Sequence, residues 1–219
     1  MKIHLHPGLT GCVRGVWAVL EGLHHEEHPA FREHLSSVCD EFARRYKGLV
    51  PSEIEQLAPA RELYHSVGMD PTRLRPSSEA LLRRVIKGKG LYRLDPVVDT
   101  GNLFSMSSGM PLGLYDLAFI EGEITLRMGV DGDGFEGIRK GRVNVEGRLC
   151  LADDRGPFGS PTSDSQRCAI RETTSTILFL LYAPASADKS RLSKERENLI
   201  ESFSRWNGGR LSESGELGP

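Results

Sequence analysis

Arg75-Pro76-Ser77-Ser78-Glu79-Ala80-Leu81-Leu82-Arg83-Arg84, then Asp99-Thr100-Gly101-Asn102-Leu103-Phe104-Ser105, then Pro111-Leu112-Gly113-Leu114-Tyr115-Asp116 form the stretch on which the reading of this 219-residue chain turns. The first block predicts a helix. Ser77 stands at the N-cap position after Pro76, Glu79 lies in the first turn where the helix dipole favours an acid, and Leu81, Leu82, Val85 and Ile86 make one apolar stripe. Gly88 and Gly90 close it. The second block reads as a buried strand ending in Asn102, and the third as a Pro-led hairpin ending in Tyr115-Asp116.

Upstream of this stretch the texture is helical. Phe31, Leu35, Val38, Phe42 and Tyr46 recur at spacings of three and four over residues 28–48, and Ile54, Leu57, Leu63 and Tyr64 do so over 51–67, where Pro59 bends or splits the helix. The apolar run Val13 to Leu20 predicts a buried strand that opens the fold. Downstream of about residue 92 the runs are short and β-rich: Val97-Val98, Leu103-Phe104, Ile124 to Leu126, Arg142 to Val145, Leu149 to Leu151 and Thr176 to Tyr182. Helices followed by strands give an α+β class. Leu192, Leu199, Ile200, Phe203 and Trp206 predict a last amphipathic helix within 185–209, and Arg210 to Pro219 carries too little apolar content to be read as anything but a mobile tail.

Composition narrows the function classes. The chain is 38% hydrophobic and 26% charged, with no run near the roughly 18 apolar residues of a membrane helix and no secretory leader, so a cytoplasmic location and no membrane partner are expected. Cys12, Cys39, Cys150 and Cys168 form no C-x-x-C pair and are read as reduced. His24-His25-Glu26-Glu27-His28 departs from the H-E-x-x-H zinc spacing and is followed by Pro29, so no metal site is expected. Gly132-Asp133-Gly134-Phe135-Glu136-Gly137 matches G-x-G-x-x-G, yet the residues after it read as a strand rather than the helix that would cradle a pyrophosphate. No cofactor is expected. No G-x-S-x-G elbow marks a triad hydrolase. The net charge of −2 conceals a basic stretch from Arg73 to Arg93, with seven basic residues against Glu79, and Arg83, Arg84 and Lys87 on its helix are candidate contacts for an RNA backbone.

The three quoted blocks resemble the B3/B4 domain family, in which an R-P-S-S-E-A-L-x-R-R helix, a D-x-x-N strand and a P-x-G-x-Y-D turn recur. Gly122 to Arg127, Ala152-Asp153-Asp154, and Asp164-Ser165 to Thr173-Thr174 are similar to the family's later strands and closing threonine motif. The resemblance covers about residues 10–184. It implies a three-layer β/β/α domain over 1–184 with N-terminal helices and a C-terminal helix, akin to the tRNA-binding and editing domain of the phenylalanyl-tRNA synthetase beta subunit, here freestanding. It further implies tRNA or aminoacyl-tRNA as partner and hydrolysis of mischarged aminoacyl-tRNA in trans. A non-catalytic module binding RNA or a small amino-acid-like ligand is the alternative, and a protein-interaction role for the final helix is a third. On this resemblance Asn102 and Ser105 are the candidate catalytic residues, and Pro111, Tyr115, Asp116, Thr173 and Thr174 the candidate substrate-binding residues.

An activated ester needs only an oriented water and oxyanion donors, so the absence of a triad leaves hydrolysis open. Departures from the synthetase pattern are concrete. Its histidine is Gly113 here, and its strand-end glutamate falls at Leu180, Leu181 or Tyr182. Its glycine-rich turn is Asp154-Arg155-Gly156-Pro157-Phe158-Gly159.

Overall fold

A computed structural model describes residues 1–218. Its elements in chain order are β1 (Ile3–Leu5), β2 (Val13–Glu21), α1 (Phe31–Arg45), α2 (Ala58–Ser66), α3 (Ser77–Ile86), α4 (Pro96–Ser108), β3 (Leu112–Asp116), β4 (Ile124–Met128), β5 (Gly134–Glu136), β6 (Arg142–Asn144), β7 (Leu149–Asp153), β8 (Gly156–Gly159), β9 (Thr176–Pro184), α5 (Lys189–Asn207) and β10 (Arg210–Leu217).

Two nine-residue strands carry the architecture. β2 and β9 pair antiparallel from Val13 opposite Pro184 to Glu21 opposite Thr176, at the centre of a sheet ordered β10-β2-β9-β3. Both are apolar on both faces because both faces are covered. Trp17, Val19, Leu178, Leu180 and Tyr182 point one way, onto Ile124, Leu126, Leu151 and Phe158 of the second sheet, ordered β1-β4-β7-β8. Val16, Ala18, Leu20, Phe179 and Leu181 point the other way, onto Val97, Leu199 and Phe203 of α4 and α5. Each such side chain, removed from water, contributes about 1.5–3 kcal/mol. The result is an α+β fold with β/β/α layers. α1 and α3 pack outside α4 through Phe31, Leu35, Leu82, Val85 and Met106.

The expected helices and most strands are present, and the chain departs from the sequence reading in five places. Pro111 to Asp116, read as a hairpin, enters the single edge strand β3, which pairs with β9 rather than with β4. Residues 97–104, read as strand, are inside α4. Asp95 caps this helix by accepting from the N–H groups of Val97 and Val98, with Pro96 in the first turn. Because Val97, Asp99, Thr100, Gly101, Leu103, Ser105 and Met106 are all buried between the sheet and the outer helices, α4 has no solvent face and shows no amphipathic stripe. Asn102 therefore sits mid-helix rather than at a strand end. Ser77 is the first helical residue and Pro76 the N-cap of α3, and the Ser77 hydroxyl makes no capping bond.

The chain from 51 to 57 forms two 3-10 turns before α2, with Pro59 in the helix's first turn, where its missing N–H costs nothing. Finally, residues 210–217 of the expected mobile tail are β10, which pairs along β2 from Arg210 opposite Glu21 to Leu217 opposite Gly15; Pro219 lies outside the described residues. Main-chain hydrogen bonds hold this outer strand, which is why Leu211-Ser212-Glu213-Ser214-Gly215-Glu216 needs no apolar alternation. The apolar face of α5 is likewise covered, with Leu192, Leu199, Phe203 and Trp206 buried. No helix among the described residues is long and apolar enough to cross a membrane.

Candidate functional site

Val98, Gly101, Asn102 and Ser105 recur at spacings of three and four, so α4 turns one face toward β3. At Gly101 the approach is close. A β-carbon there would stand 3.2 Å from Leu112 Cδ2 and 3.3 Å from Leu114 Cδ2. α4 ends where Gly109 enters the left-handed region at φ 75°, and a β-carbon on Gly109 would lie 2.3 Å from the Gln56 carbonyl oxygen. β3 is the outer strand of its sheet, and the Asp116 N–H donates to the Cys168 carbonyl at 2.9 Å, so the segment after Asp164 runs beside the strand's free edge. Between α4, β3, the start of α3 and this segment lies a cleft of about 130 Å³, lined by Ser77, Asn102, Ser105 and Asp164 among apolar side chains that include Leu112, Leu114, Ile138 and Ile170.

Two polar atoms of residues bordering this cleft are themselves shut off from water and, among the described residues, have no hydrogen-bond partner: Ser77 Oγ and Asp164 Oδ1. Burial pushes the Asp164 carboxyl up to about 7, although hydrogen bonding to Tyr115 and the Ser160 backbone and the charge of Lys140 work against the rise. The Asn102 side chain makes no protein hydrogen bond among the described residues. The Ser105 hydroxyl, in contrast, donates to the Met110 carbonyl at 2.7 Å and secures the turn into β3.

Of the remaining expected site residues, Tyr115 meets the cleft's edge through its hydrogen bond to Asp164, and the others lie elsewhere. Tyr115 is buried between the sheets, hydrogen-bonded to Tyr182 at 3.1 Å and edge-on to Phe158 at 4.9 Å. Gly113 and Gly159 flank it so tightly that a β-carbon on either would come within 2.2 Å of its hydroxyl oxygen. Gly113 also stands directly opposite Leu180. Asp116 is a turn tie: it accepts from Ala118 N–H at 3.1 Å and from the Thr174 hydroxyl at 2.7 Å, with Arg171 Nη1 3.7 Å away. Pro111 borders a separate cleft of about 240 Å³ with Tyr182 and Arg191. Thr173 and Thr174 line a third hollow with His25 and Asp95. Asn102 and Ser105 are thus brought together, with Ser77 and Asp164 beside them. Asp164 entered the sequence reading only as the start of the Asp164-Ser165 to Thr173-Thr174 stretch and not as a site residue, because an aspartate among Ser160, Pro161, Thr162, Ser163 and Ser165 reads as a turn former.

The histidine cluster disperses. His28 packs edge-on to Trp206 at 5.2 Å, whereas His25 is clamped with Nδ1 2.6 Å from Asp95 Oδ2 and Nε2 2.7 Å from the Thr174 carbonyl. A carbonyl and a carboxylate both accept, so the clamp suits an imidazolium donating from both nitrogens. Burial works to lower the His25 pKa, but the Thr174 carbonyl, the Asp95 carboxylate and the more distant Glu172 outweigh it, and the pKa is raised above the ordinary 6.5. A raised folded-state value means the stabilisation is fully present below 6.5 and lost as pH rises through the folded pKa. His25→Gln is therefore expected to lower the melting temperature on the acid side and to converge on the parent at alkaline pH. Parallel curves across that range would exclude the charged clamp.

On α3 the basic residues divide. Glu79 is buried, with Arg61 Nη1 at 2.8 Å and Arg75 Nε and Arg83 Nη1 each at 3.6 Å. Arg83 therefore has a structural partner. Arg84 stacks over Tyr92, 3.9 Å from the ring centroid, and Tyr92 is itself 49% exposed. Lys87 and Lys89 are exposed at the helix end. Tyr92 with these cations makes a surface on which a base could stack and phosphates be met.

Residues 59–206 match the family model of the B3/4 domain. Over 80 residues the chain is 32% identical to the phenylalanine–tRNA ligase beta subunit of Chromobacterium violaceum, a stretch amounting to 36% of this chain and 10% of that protein. The fold is similar to the crystal structure of an N-terminal fragment of the phenylalanyl-tRNA synthetase beta-subunit from Pyrococcus horikoshii, with a TM-score of 0.51 and 12% identity over 98% of this chain and 53% of that one. The chain thus spans about a tenth of the first relative and about half of the second.

Proposed function

The chain belongs to the B3/4 domain family, and from that membership we propose that it recognises tRNA or aminoacyl-tRNA and hydrolyses mischarged aminoacyl esters in trans. The observation that carries the reading is the cleft beside α4, where among the described residues the Asn102 carboxamide has no protein hydrogen-bond partner. The Asn102 carboxamide can orient an ester and donate an N–H to the oxyanion that forms on it, with water as nucleophile. The Tyr92, Arg84 and Lys87 surface supports a nucleic-acid partner.

A binding-only reading has its own observation in favour. Gly113 stands where the synthetase pattern has a histidine, Leu180, Leu181 or Tyr182 where it has a glutamate, and the Tyr115 hydroxyl fills the space beside Gly113. None of these supplies the imidazole or the carboxylate of that pattern.

Release of amino acid from a panel of aminoacyl-tRNAs, with and without protein, tests the hydrolytic reading; rates equal to the control for every amino acid would leave the binding role alone. The tRNA contact is tested separately. Lys87→Ala is expected to weaken affinity for different RNAs about equally and to reduce the log–log salt slope by roughly 0.7–0.9, the value for one lost phosphate contact. A parental slope would remove Lys87 from the interface.

A further inference from the structure

We propose that the hollow between the tip of the β5–β6 hairpin and the chain after β8 is a binding site for a phosphate group, held by Arg148 and Lys140 together with the Thr162 and Ser163 hydroxyls. The site is separate from the cleft beside α4, and it stands without the hydrolytic reading.

The hollow measures about 220 Å³, and Lys140 and Arg148 are the charged residues on its walls; no acid lines it. Arg148, in the turn from β6 to β7, is half-buried, and its side chain has neither an ion pair nor a hydrogen bond among the described residues. Lys140 forms no ion pair among them either, and its Nζ donates to Ser163 Oγ at 3.4 Å. The carboxyl of Asp164 feels the charge of Lys140 but borders the neighbouring cleft instead. Two cations on one cavity without a carboxylate repel each other unless an anion comes between them.

The donor set selects the anion. A guanidinium fork meets phosphate oxygens two at a time, an ammonium adds a point charge, and hydroxyls supply further donors. Thr162 Oγ1 lies 2.7 Å from the Tyr64 hydroxyl, so that when Tyr64 donates the threonine proton is free for a ligand. Ser160, also on the wall, is spent on the loop itself: it donates to the Ser163 carbonyl at 2.9 Å and accepts from the N–H groups of Thr162 and Ser163 at 3.3 and 3.0 Å. This fixes the segment that presents the other two hydroxyls. Met69, Leu74 and Val143 make the remaining wall apolar, a setting in which charged hydrogen bonds are strong.

The hairpin is bent to bring Lys140 to this place. Arg139 adopts φ 52° and is the only non-glycine residue at positive φ among the described residues. It precedes Lys140 in a turn closed by the Lys140 N–H on the Gly137 carbonyl at 3.2 Å, where glycine is the ordinary occupant. Such strain persists only where the surroundings hold it, and it is concentrated at ligand sites.

Inorganic phosphate, AMP, acetate and tRNA, each titrated at fixed ionic strength into ¹⁵N-labelled full-length protein while the Ser163 and Leu149 amides are followed, test the site. Phosphate and AMP are expected to shift both amides saturably, and acetate to leave them in place. Arg148→Gln and Lys140→Gln are each expected to weaken phosphate at least about tenfold, the loss of a hydrogen bond from a charged donor. Arg148→Lys, which keeps the charge but not the fork, retains part of the affinity. Neither glutamine variant removes an ion pair, so the melting temperature of the ligand-free protein should not fall, and phosphate should raise it in the parent more than in the variants. Matching losses of tRNA affinity would trace the phosphate to an RNA backbone, whereas losses for AMP with tRNA unaffected would trace it to a free phosphorylated metabolite; both outcomes support the site. It is overturned if acetate moves the amides as phosphate does, if none of phosphate, AMP and tRNA moves them, or if both glutamine variants bind all three like the parent. Phosphate bound here by a protein that deacylates no aminoacyl-tRNA would retire the hydrolytic reading alone.

Discussion

Alanine at Asn102 is expected to lower the rate of aminoacyl-tRNA deacylation about a hundredfold while leaving the melting temperature unchanged or slightly higher. The first half follows from the role of a single preorganised donor at a developing oxyanion. The second follows from the position. Asn102 is in the interior of α4, its side chain makes no protein hydrogen bond among the described residues, and alanine has the higher helix propensity. A residue kept for packing or capping would show the opposite pattern, with stability falling and the chemical step intact. Single-turnover rates with saturating protein separate the two, since they exclude changes in tRNA affinity. Unchanged turnover would take Asn102 out of the site.

Removing Glu79 is expected to be the most damaging surface-neutral change in the helical layer. Glu79→Ala deletes the one acid shared by Arg61, Arg75 and Arg83 and leaves three cations facing a buried gap. Breaking a buried ion pair from one side costs about 3–5 kcal/mol. Because Arg75 and Arg83 are partly exposed and can turn toward water, the lower end applies, a fall in melting temperature of about 6–12 °C for a domain of this size. Affinity for tRNA should hold or rise, because positive charge is gained. A variant that keeps its stability but loses tRNA would reverse the assignment and make this cluster part of the interface.

How much of this was legible in the sequence depends on what surrounds each element. β2 and β9 stood out as continuous apolar runs because two layers cover them, and α1 and α3 because only one side of each is covered. α4 was hidden by its own burial: with covered residues all around its axis and Val97, Val98 and Thr100 in its first turns, it offered the texture of strands, and only Asp95-Pro96 and Gly109 marked its ends. β10 was hidden for the opposite cause, having little to bury. In the cleft, Asn102 and Ser105 were visible as members of a recurring pattern. Asp164 and Ser77 stood in the quoted stretches as a motif member and an N-cap but not as cleft residues, since their place beside α4 is set by tertiary packing, which no local pattern records.

The placement of β2 also bears on how the chain is made. This strand leaves a ribosome well before its two ladder partners, residues 176–184 and 210–217. Until those emerge, Val16 to Leu20 is an unpaired apolar segment, and the loops that must close around it span most of the chain. The helices can form earlier, from local contacts. Completion of the central sheet therefore waits on residues 210–217, and until then β2 is open to pairing with another copy of itself.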